Sequence, residues 1–139
     1  MEQHIVKASW KEGVHFEAET PGGILNMDGA EEIGGKGKGY RPKALMLSAM
    51  AGCTGIDVSM LIEKMRVQID GFSIDVSAEL TDEHPKIYQN THIIFTFKSA
   101  NPDKEKIEKA VNLSFDKYCG VIAMFKSFST VTKEIRYVS

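Results

Sequence analysis

The sequence predicts an α+β chain with antiparallel sheets arranged around one buried central helix. Three observations carry that expectation. Residues 42 to 65 place apolar side chains around most of a helix circumference. Residues 72 to 81 alternate strictly between apolar and polar, the period of a half-buried strand. A second amphipathic helical stretch then precedes a β-branched, alternating C-terminal segment.

The N-terminal elements are short. Ile5 to Trp10 and Val14 to Glu19 read as strands, and Thr20-Pro21-Gly22-Gly23 supplies turn chemistry before a third strand from Ile24 to Asp28. Together they predict a small antiparallel meander. Residues 34 to 41, GGKGKGYR, form a glycine-rich basic loop whose composition signals a flexible turn, and Pro42 is suited to the first position of the helix that follows.

That central helix carries Leu45, Met46, Leu47, Met50, Cys53, Ile56, Val58, Met60 and Leu61, too many directions for a single stripe, so it should be buried on nearly all sides. Gly52 and Gly55 in its interior each cost about 1 kcal/mol against alanine, which a closely approaching neighbour would offset. In so short a chain that neighbour is expected from another subunit, making a homodimer.

Beyond Gly71, Phe72, Ile74, Val76, Ala78 and Leu80 share one face of a strand; Asp82-Glu83-His84-Pro85 turns the chain; and Ile87, Ile93, Phe95 and Phe97 share the parity of the returning strand. Asn101-Pro102 reads as N-cap and first turn of a second helix, with Ile107, Ala110, Val111, Ser114 and Tyr118 on its inner face and an end near Cys119. Gly120 restarts a short helix through Lys126, and Thr130 to Val138 closes the chain as a strand.

Composition bounds the function. At 139 residues and 42% hydrophobic content, residues 1–139 fit one domain. A net charge of −2, with 17 basic and 19 acidic residues interleaved, gives no global field for nucleic acid or an anionic membrane. The start MEQHIVKASW lacks the pattern of a secretory signal, so a cytoplasmic protein is expected. The uncharged run Ala44 to Ile56 is too short to span a bilayer. His4, His15, His84 and His92 show no paired spacing and there is no CxxC or HExxH, so no metal or other cofactor is expected.

Two cysteines and one basic cluster remain that could carry chemistry. Cys53 sits mid-helix, where a free cysteine is ordinarily a small core side chain, and about eleven residues at 1.5 Å each put it some 16 Å from the helix start, beyond the dipole's reach. Cys119 stands where a new helix begins, so free backbone N–H groups could lower its pKa; a capping or packing thiol is an equal alternative. The cations Lys36, Lys38, Arg41 and Lys43 could hold an anion at the start of the central helix, although most such runs are simply solvated. Four cations on a net-negative chain are a poor footprint for nucleic acid.

The stretch RPKALMLSAMAGCTGIDVSMLIEKMR, residues 41 to 66, resembles the central helix of the OsmC/Ohr family (osmotically inducible protein C and organic hydroperoxide resistance protein), and YCGVIAMFK, residues 118 to 126, resembles the segment carrying its second cysteine. The order of elements is similar over nearly the whole chain. The resemblance implies an OsmC-like fold, an intertwined homodimer and a thiol-dependent peroxidase of small organic hydroperoxides. Cys53 would attack the peroxide, Cys119 would resolve the sulfenic acid as a disulfide, and a dithiol reductant would restore both. The chain departs from the family's peroxidases at two places. Lys43 stands where they carry a glutamate, and residues 1 to 34 hold no arginine. Arg41 and Lys43 are the remaining candidates for substrate or anion contact. Glu63-Lys64-Met65-Arg66 resembles the helix ending of a branch whose peroxidase activity is weak or unassigned. The alternative function is therefore a non-enzymatic binder of an apolar or acyl ligand at the dimer interface.

Overall fold

In the computed structural model, which describes residues 1–139, six strands and three α-helices run β1 (Lys7–Glu12), β2 (His15–Thr20), β3 (Gly23–Met27), α1 (Pro42–Lys64), β4 (Gly71–Leu80), β5 (Tyr88–Lys98), α2 (Lys104–Leu113), α3 (Gly120–Lys126) and β6 (Thr130–Val138). The chain forms two compact units, residues 1–46 and 47–139.

The first unit contains the expected meander, β1-β2-β3, antiparallel throughout. Trp10 pairs with Phe16 and Ala18 with both Ala8 and Leu25. The basic loop after it is ordered by a buried carboxylate. Asp28 accepts the backbone N–H groups of Gly29, Lys36 and Lys38 at 2.9, 2.9 and 3.0 Å. Asp28 N–H in turn donates to Tyr40 O, and Tyr40 N–H to Asn26 O, both at 3.0 Å. Gly37 takes φ +68°, and any side chain at Gly39 would collide with the backbone of Asn26. The glycines thus let the backbone wrap tightly around a carboxylate, where composition had suggested a flexible turn.

The second unit is built on the mixed sheet β4-β5-β6. The β4–β5 hairpin pairs Phe72 with Phe97, Ile74 with Phe95 and Val76 with Ile93, placing the alternating apolar residues on one face. A register shift at Glu79/Leu80 turns Tyr88 inward and leaves Ile87 exposed, so Ile87 does not share the buried parity expected of it. β6 departs from the antiparallel expectation and runs parallel to β5, Phe95 beside Ile135. The physical reason is the connection: α2 and α3 lie between β5 and β6, a crossover long enough to bring the chain back to the starting end.

Ile93, Phe95, Phe97, Ile107, Ala110, Val111, Ile122 and Phe125 form the core with Met50, Val58 and Ile62 of α1. Within the second unit the helix is buried along one stripe, Met50, Thr54, Val58 and Ile62 at intervals of four, with Cys53 and Leu61 partly covered, while Ile56 and Met60 stay about two-thirds exposed. Its length and composition alone would suit a membrane span. Yet it carries Asp57 and sets its buried stripe against a protein core. Gly55 is explained within the chain, since a Cβ there would lie 3.2 Å from Ile74 of β4; Gly52 faces open space.

The second helix begins later than expected. Asp103 caps it, its carboxylate accepting Lys106 N–H at 3.2 Å, in place of Asn101. It ends at Leu113 in a π-helical turn, Ser114–Tyr118. The wider turn shifts the helical phase, so Ile107, Ala110, Val111 and Ser114 are buried as predicted but Tyr118 is swung into solvent.

Three backbone hydrogen bonds hold the Asp28 carboxylate below the usual range, those from Lys38 and Lys36 contributing most. A carboxylate with a lowered folded-state pKa stabilises the fold fully above its unfolded pKa, and that contribution is lost as pH falls through the folded value. Amide hydrogen exchange at Lys36 and Lys38 should therefore accelerate on acidification in the wild type. In Asp28→Asn it should be fast already at neutral pH, because a carboxamide cannot accept all three N–H groups.

Candidate functional site

The second unit brings Cys53 and Cys119 together. Cys53 projects from the middle of α1 and is half-buried; Cys119 is 3% exposed and caps α3, and both are free thiols. The cap is real, as Ile122 N–H donates to Cys119 Sγ at 3.4 Å. With a capping or packing thiol equally open, local sequence allowed that such a contact could lower the thiol pKa. Instead it is pushed up to about 11, with burial the largest cause; the Ile122 N–H opposes it and the adjacent Cys53 side chain adds to it. A buried anion costs more than one weak N–H···S contact returns, so Cys119 is held as a thiol beside the more accessible Cys53.

Two elements distant in sequence create this pairing, and polar groups tie them. Ser114, fully buried at the start of the π turn, donates its hydroxyl to Asp57 Oδ2 at 3.0 Å. Its remaining lone pair receives the hydroxyl of Thr54, also fully buried, at 2.7 Å. Ser114 O then accepts Cys119 N–H at 2.9 Å. Sequence reasoning missed this linkage. Ser114 was legible as an inward-facing position and Asp57 as an acid one turn after Cys53, but their meeting across 57 residues was not.

Arg41 and Lys43, the other two sequence candidates, are exposed and lie in the first unit, Arg41 just before α1 and Lys43 in its first turn. On the outer face of the second sheet, His92 contacts Thr132 Oγ1 at 2.7 Å and Glu134 Oε1 at 2.9 Å, and Arg136 Nε donates to Glu134 Oε2 at 2.8 Å. Arg136, with a smaller effect of His92, lowers the Glu134 pKa. His92 of β5 reaches across to Thr132 and Glu134 of β6, and Arg136 joins from two residues along β6, a ladder on a partly exposed polar face of the kind that stabilises sheets. No group of three or more His, Cys, Asp or Glu side chains is arranged to hold a metal ion.

The thiol pair should alkylate unequally. At pH 8 iodoacetamide should modify Cys53 well before Cys119, and Cys119 labelling should rise only as pH approaches about 11. Peptide mass spectrometry of timed samples reads this directly, and equal labelling at pH 8 would contradict the burial argument.

The same arrangement of elements recurs in known proteins. Protein YhfA of Escherichia coli (strain K12) is 26% identical over 134 residues, spanning 96% of this chain and 97% of the relative. A hypothetical protein from Aquifex aeolicus VF5 matches in structure with a TM-score of 0.83 and 26% identity, covering 100% of both chains. An organic hydroperoxide resistance protein OsmC from Legionella pneumophila matches with a TM-score of 0.69, at 15% identity and 98% coverage of each chain. The organic hydroperoxide resistance protein OhrB of Bacillus subtilis gives a TM-score of 0.66 at 17% identity, covering 97% of this chain and 98% of that one. At the latter two identities the likeness is one of fold. A family model described as OsmC-like protein matches residues 35–134, a span that runs from the basic loop through both cysteines into the final strand, and the chain belongs to that family.

Proposed function

We propose that this chain is a thiol-dependent peroxidase reducing organic hydroperoxides, with Cys53 as the peroxidatic and Cys119 as the resolving cysteine. Membership of the OsmC-like family supports a stress-related or peroxidase role. The observation that carries the finer reading is the pairing itself: an accessible thiol on α1 next to a buried one kept protonated at the cap of α3.

The chemistry balances with these two sulfurs and one external reductant. The Cys53 thiolate attacks the terminal peroxide oxygen; an S–O bond forms, the O–O bond breaks, and the alkoxide takes a proton to leave as alcohol. Cys53 is oxidised to a sulfenic acid as the hydroperoxide is reduced by two electrons. The Cys119 sulfur then gives up its proton and attacks Cys53, forming the disulfide and releasing water. An external dithiol returns two electrons and two protons. Burial of Cys119 fits the second role, since a thiol that waits for its partner's oxidation should itself be shielded from peroxide.

With a dithiol donor present, the wild type should consume cumene hydroperoxide and Cys53→Ser should not. With the dithiol left out, Cys119→Ser should complete one turnover and accumulate a sulfenic acid trappable by dimedone. Equal, slow consumption by wild type and Cys53→Ser would sink the peroxidase reading.

A second reading is favoured by one specific feature. Between α1 and β4 lies an open, mostly apolar groove of about 540 Å³ lined by Gly52, Gly55, Ile56, Met60, Phe72 and Ile74. We propose that a second copy of the chain covers this side of α1, giving a homodimer, and that the protein works in the cytoplasm, where both cysteines are kept reduced. In the alternative function, the groove and its dimer surroundings hold an apolar or acyl ligand without turnover. Native mass spectrometry of the purified protein should show twice the chain mass and no adduct if the peroxidase reading is right. A co-purifying acyl or aromatic adduct would favour the binder, and a monomer would remove the dimer from both.

A further inference from the structure

The geometry points to Ser114 as a positioning residue for disulfide closure, held in place by Asp57 and Thr54 so that Cys119 stays beside Cys53; the inference rests on the thiol-pair reading above. Three observations converge. Cys53, Thr54 and Asp57 lie in one short stretch of α1, so the segment that carries the reactive sulfur also carries the two polar anchors. Both anchors are spent on Ser114, which donates to Asp57 at 3.0 Å and receives Thr54 at 2.7 Å. The Ser114 carbonyl receives the N–H of Cys119 at 2.9 Å across the π-helical turn. A ring therefore runs from Cys53 through Thr54 and Ser114 to Cys119 and back to Cys53.

The polar character of this ring needs an explanation. A threonine hydroxyl inside a helix ordinarily bonds back to its own preceding turn. Thr54 instead reaches a side chain 60 residues away, and Ser114 does so from a fully buried position where an alanine would fill the core as well. What the hydroxyls supply and methyl groups do not is direction: two bonds of fixed geometry set the rotation of the π turn, hence the placement of the Cys119 backbone. Closing a disulfide requires Cα atoms within about 7 Å and a narrow dihedral range, so a turn free to rotate would spend most of its time out of reach. Ser114, Thr54 and Asp57 neither touch the peroxide nor exchange a proton with it; their effect is on how often the two sulfurs meet.

The test separates closure from peroxide chemistry by using diamide, which accepts two electrons and two protons from a dithiol and leaves a disulfide. Ser114→Ala should slow diamide-driven closure of Cys53–Cys119 by about tenfold or more, a loss typical of mispositioned reacting groups. Alkylation of Cys53 should stay within twofold of wild type. Ser114→Thr, which keeps the hydroxyl, should recover most of the rate. Asp57→Ala, which leaves the Thr54–Ser114 contact in place, should slow closure less, and serves as the second variant if Ser114→Ala does not fold. In peroxide assays both slow variants should accumulate the Cys53 sulfenic acid trapped by dimedone. Closure at the wild-type rate in Ser114→Ala, or in Asp57→Ala where the former is unfolded, would overturn the proposal, as would failure of Ser114→Thr to restore it. If wild type closes rapidly with diamide but consumes no hydroperoxide, the peroxidase reading falls while the positioning role is still decided by the variants.

Discussion

A hydroxyl with no access to water must find its partners inside the protein, and the fully buried Ser114 is where that requirement shapes the second unit. Its donor goes to Asp57 and its acceptor to Thr54, which fixes the start of the π turn against α1. Leaving either hydroxyl unpaired would cost roughly 1–3 kcal/mol, so the contact is a strong constraint on how the two segments meet. The position of Cys119 follows from it, and the proximity of the two sulfurs follows from that.

Around this polar contact the packing is ordinary and apolar. The β4–β5 hairpin sets Phe72 flat against Phe97, with centroids 4.5 Å apart, and Tyr137 of β6 extends the row. α2 adds Ile107, Ala110 and Val111 to the same core, and α3 adds Ile122 and Phe125. The polar ring is thus surrounded by side chains that exclude water, which accounts for the opposite characters of the two thiols. Cys119 sits within this core and resists ionisation, while Cys53 faces outward enough to meet a reagent.

The first unit is organised by a different device with the same logic. A single buried carboxylate, Asp28, collects three backbone N–H groups from a loop that has few side chains able to hold it together. The lysines of that loop are exposed, and it is their backbone amides, not their charges, that meet Asp28. A composition of glycine and lysine therefore describes a tightly wrapped turn with a cationic outer surface.

Much of this was legible in the amino-acid sequence, because the signals were local. Alternation specified β4 and β5, apolar content specified α1, proline and glycine specified the meander and the starts of α1 and α3, and the two cysteine segments carried the family likeness. Each of these depends on residues a few positions apart. What only the tertiary structure decided depends on residues far apart. The parallel pairing of β6 follows from a crossover, the exposure of Tyr118 from a π turn, and the raised Cys119 pKa from burial outweighing a favourable helix cap. The linkage of Asp57 and Thr54 to Ser114 belongs to the same class. Hydrogen bonds and desolvation act through space, and no periodicity in the chain records which distant group will supply them.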